Sequence, residues 1–289
     1  MNICRVLCRP KKYALLVALV MITVFTDVPA SAEDQRTASN QLNGKLVVTG
    51  SSTVAPLIAE MGKQFESLHS NVRIDVQTGG SSRGIADARQ GLADIGMVSR
   101  AMKDDERDLQ AFPVAHDGVC IILHRENPVQ ALADEQIVAI YTGKVTNWKA
   151  AGGTDAPITV VNKADGRSTL EVFLQYFKLR ASDVKAHVVI GDNEQGVKTV
   201  AGNRTAIGYV SIGTAEYDAT HGAPIKLLPI GEVPASSESV RKGVFPLSRP
   251  LHLVTKTSPS GLAKSFIEYA QSKAVHDLIR QQYFVPLAD

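Results

Sequence analysis

The feature that most constrains the fold is a unit that recurs along the chain: an apolar strand, a loop of glycine and hydroxyl residues, then a helix. The strand "KLVVT" (45–49) leads through "GSST" into a helix with its apolar residues at Val54, Leu57, Ile58, Met61, Phe65 and Leu68. The same arrangement returns at "TGGSSRGI" (78–85) and "NKADGRSTLEVF" (162–173), with "GMVSRAM" (96–102) as a fourth candidate. Alternation of this kind predicts an α/β architecture with mainly parallel sheets.

Apolar runs bounded by turn residues predict the other elements of the chain. A helix should follow the loop 79–84 and end near Gly91. Further strands are predicted at 72–78, 94–99, 118–124, 158–162, 206–210 and 251–255, and further helices at 170–177 and within 259–282.

The N-terminus has the pattern of a secretory signal peptide, residues 1–32, with basic residues, an apolar run at 13–25 and the site Ala30-Ser31-Ala32. Cleavage is expected after Ala32, followed by a flexible leader at 33–44. The apolar run is shorter than the roughly 20 residues that a membrane span needs. Because Cys4 and Cys8 precede this run, neither can carry a lipid at the cleavage point. We therefore expect a periplasmic protein with no lipid anchor and no stable membrane insertion after cleavage.

Charge and cysteine content narrow the function further. The precursor has 31 Lys and Arg against 29 Asp and Glu, and loss of the signal leaves 27 against 28. This balance gives no basis for nucleic-acid binding. Cys120 alone survives cleavage, so no internal disulfide is expected. The seven histidines show no close paired spacing, and we expect neither a metal site nor a cofactor.

The hydroxyl-rich loops indicate an anion site. Serine and threonine before a helix often act only as N-caps, and this alternative stays open for any single loop. However, helix N-termini also bind anions, and loops at the carboxyl ends of strands converge on one crevice. Arg100, Arg167 and Lys163 could supply positive charge. Asp117 could accept a hydrogen bond from a protonated oxyanion such as phosphate, or could be a simple turn residue.

Six segments occur in an order that resembles a known family, the solute-binding proteins of phosphate ABC transporters. They are "GSSTVAP" (50–56), "GGSSRGI" (79–85), "DIGMVSR" (94–100), "YTGKVTNW" (141–148), "AIGYVSIG" (206–213) and "FPLSRPLHLVTK" (245–256). The resemblance implies a two-lobed periplasmic binding protein of the type II kind, each lobe having a central, mainly parallel sheet flanked by helices. Lobe 1 would be 45–115 with 246–289, and lobe 2 would be 116–245.

The resemblance also implies a function: capture of inorganic phosphate between the lobes, delivery to an ABC transporter permease, and no catalysis. The chain is expected to act as a monomer. The implied ligand-binding residues are Ser52, Thr53, Ser81, Ser82, Ser99, Arg100, Asp117, Arg167, Ser168 and Thr169, with Lys163 and Asp165 in support.

The loop at 163–169 departs from the family pattern, which has arginine at the first position and Ser-Gly-Thr at the last three. Here Lys163 replaces the arginine, Arg167 the serine and Ser168 the glycine, while Thr169 is retained. Lysine lacks the planar, bidentate donor of arginine. The ligand could therefore be another oxyanion, such as sulfate, molybdate or arsenate.

Two further functions remain open from the sequence. A phosphate-sensing protein without a transporter would use the same site residues. A serine hydrolase is also conceivable, because "GSSRG" (80–84) fits the G-x-S-x-G pattern with Ser82 as nucleophile. His221, His252 or His276 would then complete the triad.

Overall fold

The computed structural model describes residues 42–287 of the chain. The predicted signal peptide and nearly all of the leader lie outside these residues and stay predictions. Within 42–287, no helix has both the length and the apolar character that crossing a membrane requires.

Strands and helices alternate along most of the described chain, as the sequence predicts. The strands are β1 (Gly44–Gly50), β2 (Val72–Thr78), β3 (Ile95–Val98), β4 (Gln110–His124), β5 (Thr159–Lys163), β6 (Val188–Ile190), β7 (Ala206–Ser211), β8 (Ile225–Leu228) and β9 (Ser248–Thr255). The α-helices are α1 (Ala55–Leu68), α2 (Ser81–Gln90), α3 (Asp134–Tyr141), α4 (Ser168–Phe177), α5 (Asn193–Ala201), α6 (Ile212–Thr220), α7 (Ser237–Arg241), α8 (Gly261–Ala270) and α9 (His276–Gln281).

The predicted elements are confirmed, with two informative differences. Strand β4 begins well before the predicted 118–124, because the ladder continues through Pro113, where its register shifts by an irregularity. The single helical stretch predicted within 259–282 is two helices, α8 and α9. The chain breaks near Ser272, whose hydroxyl donates to the Tyr269 carbonyl oxygen and so competes with the helical backbone.

The strands form one continuous path in the order β2-β1-β3-β9-β4-β7-β5-β6, with β8 added beside β4. Pairing is parallel on both outer sides, between β1 and its neighbours β2 and β3 and between β5 and its neighbours β6 and β7. It is antiparallel in the middle, where β9 and β4 join the two halves. The predicted α/β class is confirmed, and the antiparallel pairs arise from these joining strands and β8.

Two main hydrophobic cores lie on either side of the joining strands, each mainly within one of the two predicted lobes. Leu57, Ile58 and Phe266 belong to the first core, and Trp148 and Phe173 to the second. Strand β4 contributes to both, because its earlier residues pack in the first core and its later residues in the second. The predicted lobe boundaries at 115/116 and 245/246 stay predictions.

Several helices begin directly after strands at the junction between the lobes. In lobe 1, α1 follows β1 and α2 follows β2; in lobe 2, α4 follows β5 and α5 follows β6. Direct hydrogen bonds join the two sets, such as Asn193 Nδ2 to Thr53 Oγ1 at 3.0 Å and Ser82 N–H to the Gly166 carbonyl oxygen at 3.2 Å. The loops predicted to converge therefore meet in the cleft between the lobes.

Candidate functional site

A buried ion pair between Arg249 and Asp117 joins the two long strands beside the cleft. The two residues are direct partners across the antiparallel β4–β9 ladder. Arg249 Nε and Nη2 lie 3.0 and 2.7 Å from Asp117 Oδ2, and the Gly213 N–H donates to Asp117 Oδ1 at 3.2 Å. Both side chains are essentially inaccessible to solvent. The Asp117 carboxylate therefore orients Arg249 and balances its charge.

The remaining N–H groups of Arg249 reach hydroxyl groups from both lobes. They donate to Thr53 Oγ1 at 3.2 Å and Ser99 Oγ at 3.5 Å in lobe 1, and to Thr169 Oγ1 at 3.0 Å in lobe 2. Arg249 thus links the beginnings of α1 and α4 to the end of β3. One side chain holds three sequence-distant loops together.

The hydroxyl groups of Thr53, Ser99 and Thr169 accept in these contacts, so their protons stay available to donate to another group. Thr53 Oγ1 accepts from both Arg249 and Asn193, and Ser99 Oγ accepts from Arg249 and from Ser51 Oγ at 2.8 Å. A hydroxyl has one donor and two acceptor positions, so one that accepts from cations and amides still donates. Thr53, Ser99 and Thr169 are consequently poised as neutral donors toward an anion.

The N-terminus of α4 adds further donors. The first-turn N–H groups of a helix have no partner within the helix, and the preceding residue, Arg167, makes no side-chain cap here. Ser168 is buried, and its Oγ has no hydrogen-bond partner among residues 42–287. Buried polar atoms are normally paired. The unpaired hydroxyl at a helix N-terminus is therefore a strong indication of an anion site.

The loop before α2 faces α4 across the cleft. Gly80 precedes this helix with φ 94°, a conformation that favours glycine. A Cβ at Gly80 would lie 2.5 Å from the Gly166 carbonyl oxygen of the other lobe, so glycine permits the close approach. Ser81 is buried and its Oγ accepts from the Ser99 N–H at 3.2 Å, whereas Ser82 is exposed.

Lys163 is a buried cationic residue at the end of β5. Its Nζ donates to Asn193 Oδ1 at 3.0 Å, and it forms no ion pair with a carboxylate of the described chain. Burial, the largest cause, and the charges of Arg249 and Arg167 together lower the pKa of Lys163 to about 7, against the opposing charge of Asp192.

Arg167 lies between the lobes without a charged partner. It is half-buried and makes no side-chain hydrogen bond or ion pair with residues 42–287. A Cβ added to Gly80 of lobe 1 would lie 2.9 Å from the Arg167 Cδ. A Cβ added to Gly191 of lobe 2 would lie 3.2 Å from the Arg167 Nη2. Two glycines thus make room for this side chain.

Ser52, Asp165 and Arg100 make no side-chain hydrogen bond to the hydroxyls that Arg249 holds. Ser52 is half-buried beside Thr53 and makes no side-chain hydrogen bond within 42–287. Asp165 is exposed and forms no ion pair with Lys163 or Arg167. The Arg100 guanidinium contacts none of these hydroxyls, because it pairs with carboxylates instead.

Arg100 is committed to carboxylates. Its Nη1 and Nη2 each lie 2.7 Å from an oxygen of Glu106, and its Nε lies 2.9 Å from Glu171 Oε2. Burial alone would lower the pKa of Arg100, but these two carboxylates raise it overall. Because its charge is already balanced, the structure does not bring Arg100 to the anion site as the sequence predicted.

Sequence reasoning missed Arg249 and Asn193. The sequence pattern does predict burial of Arg249, because this residue alternates with the buried Leu251 and Leu253 along β9. A charged residue at a buried strand position needs a partner, and Asp117 is the acidic residue in the other long strand. Asn193 follows Asp192 at the start of α5, and that pattern alone indicates only a helix cap.

The described residues do not place a histidine on Ser82, the candidate hydrolase nucleophile. No histidine hydrogen-bonds Ser82, and His252 instead contacts the Arg100 carbonyl oxygen at 3.3 Å. Between residues 42 and 287 there is also no group of three or more His, Cys, Asp or Glu side chains placed to hold a metal ion.

Known proteins share this architecture. A family model described as a PBP superfamily domain matches residues 32–274. The phosphate-binding protein PstS of Bacillus subtilis is 27% identical over 264 residues, covering 90% of this chain and 86% of its own.

Two solved structures are similar as well. A substrate-binding protein of Clostridium perfringens, assigned to phosphate ABC transport and containing bound phosphate, has a TM-score of 0.79 and 31% identity over 84% of this chain and 100% of its own. A phosphate transport receptor of the ABC type from Vibrio cholerae has a TM-score of 0.66 and 29% identity, covering 84% of this chain and 99% of its own. The chain belongs to the PBP superfamily, within which these relatives are phosphate-binding proteins of ABC transport.

Proposed function

We propose that the chain is an exported solute-binding protein that captures inorganic phosphate between its lobes and delivers it to an ABC transporter permease. The names of the relatives support phosphate and an ABC system. The signal-like N-terminus supports a periplasmic location after cleavage at Ala32, without a lipid anchor. The protein acts as a monomer, and it binds rather than catalyses.

One observation supports this function above the others: neutral hydroxyl donors from both lobes are held by Arg249 around the N-terminus of α4. A phosphate ion needs donors on several sides to replace its hydration shell, and donors from two lobes provide them only when the cleft is closed. The proposed ligand set is Ser52, Thr53, Ser81, Ser82, Ser99, Arg167, Ser168 and Thr169, with Lys163 and Arg249 as further positive charges.

Asp117 has a different role in this proposal. Its oxygens are engaged by Arg249 and the Gly213 N–H, so it acts through Arg249 as a positioning residue. A protonated phosphate oxygen can instead donate to the hydroxyl of Ser168 or Thr169, each of which has an acceptor position that no described residue fills.

Isothermal titration calorimetry of the mature protein with phosphate, arsenate, sulfate and molybdate tests the proposal. We expect phosphate to bind in a ratio of one to one. Thr169→Val removes one donor at nearly constant shape and should weaken binding by roughly 1.5–3 kcal/mol, the value of a hydrogen bond to a charged group. Thr154→Val, at an exposed threonine away from the cleft, is the matched control and should bind as the unmodified chain does.

The titration also separates the alternatives. Tight binding of sulfate or molybdate with no heat from phosphate would reassign the site to another oxyanion. Equal loss of affinity in Thr169→Val and Thr154→Val would contradict the proposed position of the site.

A further inference from the structure

Lys163 differs from the two other buried cations near the site in how its charge is balanced. Arg249 is paired with Asp117, and Arg100 with Glu106 and Glu171. Lys163 is buried, and within residues 42–287 its ammonium donates only to the carboxamide oxygen of Asn193. A buried ammonium without a carboxylate partner is unfavourable, because burial penalises the charged form.

The groups that face Lys163 come from four elements. Arg249 on β9 and Arg167 before α4 repel an ammonium, while Asp192 before α5 attracts it. Asp192 makes no ion pair with Lys163, and its carboxylate caps α5 by accepting the Gln195 N–H at 2.8 Å. Tyr209 on β7 contacts only the Lys163 backbone, whose N–H donates to the Tyr209 hydroxyl at 3.3 Å.

An anion bound at the N-terminus of α4 would change this balance. Asn193 connects Lys163 to the anion site, because its carboxamide accepts from Lys163 and donates to Thr53 of the proposed ligand set. Negative charge in the cleft favours the ammonium form of Lys163. Thermodynamic linkage then requires that protonation of Lys163 favours the anion to the same extent.

We infer that Lys163 takes up one proton when the anion binds, so that the chain holds its anion more tightly in acidic than in alkaline solution. The inference rests on the proposed function. In the alkaline range, the neutral Lys163 amine takes one proton from solvent and becomes an ammonium as the phosphate dianion binds. No other bond is made or broken.

The sign of the pH dependence follows from the pKa of Lys163 in the empty protein. That pKa is about 7, below the ordinary value for lysine, and the bound anion raises it back toward that value. Below it, Lys163 is charged in both states and contributes no pH dependence. Above it, binding must include proton uptake, and affinity falls by up to about tenfold per pH unit until the pKa of the bound state is reached.

Calorimetry of phosphate binding to the mature protein at about pH 8.5, in two buffers of different ionisation enthalpy, counts the protons taken up. We expect the uptake of roughly one proton per phosphate bound. The ratio of the affinity at about pH 6 to the affinity at about pH 8.5 should be at least about tenfold larger in the unmodified chain than in Lys163→Arg. In Lys163→Arg the guanidinium stays charged, so the uptake should disappear. Lys144→Arg, at an exposed lysine of lobe 2, should keep it.

The outcomes distinguish the inference from the proposed function. Phosphate that fails to bind at either pH overturns the proposed function. Phosphate that binds the unmodified chain without proton uptake overturns the role of Lys163 alone, whatever the variants do. Uptake that persists in Lys163→Arg also overturns it, because the ligand would then be the group that takes the proton. If Lys163→Arg does not fold, Lys163→Gln, which cannot be protonated, serves the same comparison.

Discussion

At the scale of single residues, the buried pair of Arg249 and Asp117 determines the shape of the site. Asp117→Asn would leave the Arg249 guanidinium buried without its carboxylate. Removing one partner of a buried ion pair costs about 3–5 kcal/mol. We therefore expect the free energy of unfolding to fall by about that amount, as measured by urea denaturation.

A double variant separates stability from binding. Replacing both partners by apolar residues, as in Asp117→Leu with Arg249→Met, removes the uncompensated charge and should recover much of the lost stability. Phosphate binding should not recover, because Thr53, Ser99 and Thr169 would lose the cation that holds them. Recovery of binding together with stability would show that Arg249 does not organise the site.

The sequence allowed part of this residue-level arrangement to be predicted. The hydroxyls of Thr53, Ser81, Ser99 and Thr169 are brought together because strand ends converge in any α/β sheet of this kind. The partner of a charged residue depends instead on strand register and on loop conformation. For that reason the prediction placed Arg100 in the site and overlooked Arg249.

At the scale of elements, the approach of α2 to α4 depends on a backbone position without a side chain. Gly80→Ala would place a Cβ 2.5 Å from the Gly166 carbonyl oxygen across the cleft and would strain a residue at φ 94°. We expect weaker phosphate binding together with a loss of stability of roughly 1–3 kcal/mol from the backbone strain.

Gly91→Ala is a matched control on the same helix. Gly91 ends α2 at φ 70°, and a Cβ there meets nothing within 4 Å. It should lower stability through strain alone and leave the affinity for phosphate, measured by calorimetry, unchanged. Equal effects of the two variants on affinity would contradict a role for the contact between α2 and α4.

Element boundaries were predictable where the apolar pattern was uninterrupted. Strand β2 and helix α1 have nearly the predicted limits, because turn residues bound them on both sides. Strand β4 was cut short in the prediction at Gly118, since Pro113 breaks the ladder pattern that identifies a strand. The pairing with β9 nevertheless continues on both sides of that proline.

At the scale of the whole molecule, ion pairs outside the anion site also join the lobes. Glu171 on α4 lies 2.9 Å from Arg100 Nε and 2.6 Å from Lys103 Nζ, both in lobe 1. Glu171→Gln removes this attraction and should speed phosphate dissociation about three- to tenfold, with little change in association, because a charge-assisted contact between the lobes is lost.

Stopped-flow kinetics measures both rates. Glu268→Gln is the control, because Glu268 pairs at 3.8 Å with Lys264 of the same helix and joins no lobes. A dissociation rate that is the same in the two variants would mean that the ion pairs do not hold the lobes together.

The position of β9 bears on how the chain is made. This strand, residues 248–255, lies between β3 and β4, which do not pair with each other. A ribosome delivers the chain N-terminus first, so both neighbours emerge long before the strand that fills the gap. Until then two unprotected sheet edges are available to other chains. The segment that carries β9 therefore completes the middle of the molecule only after both of its neighbours have been made, and a protein truncated before Ser248 should be prone to aggregation rather than merely shorter.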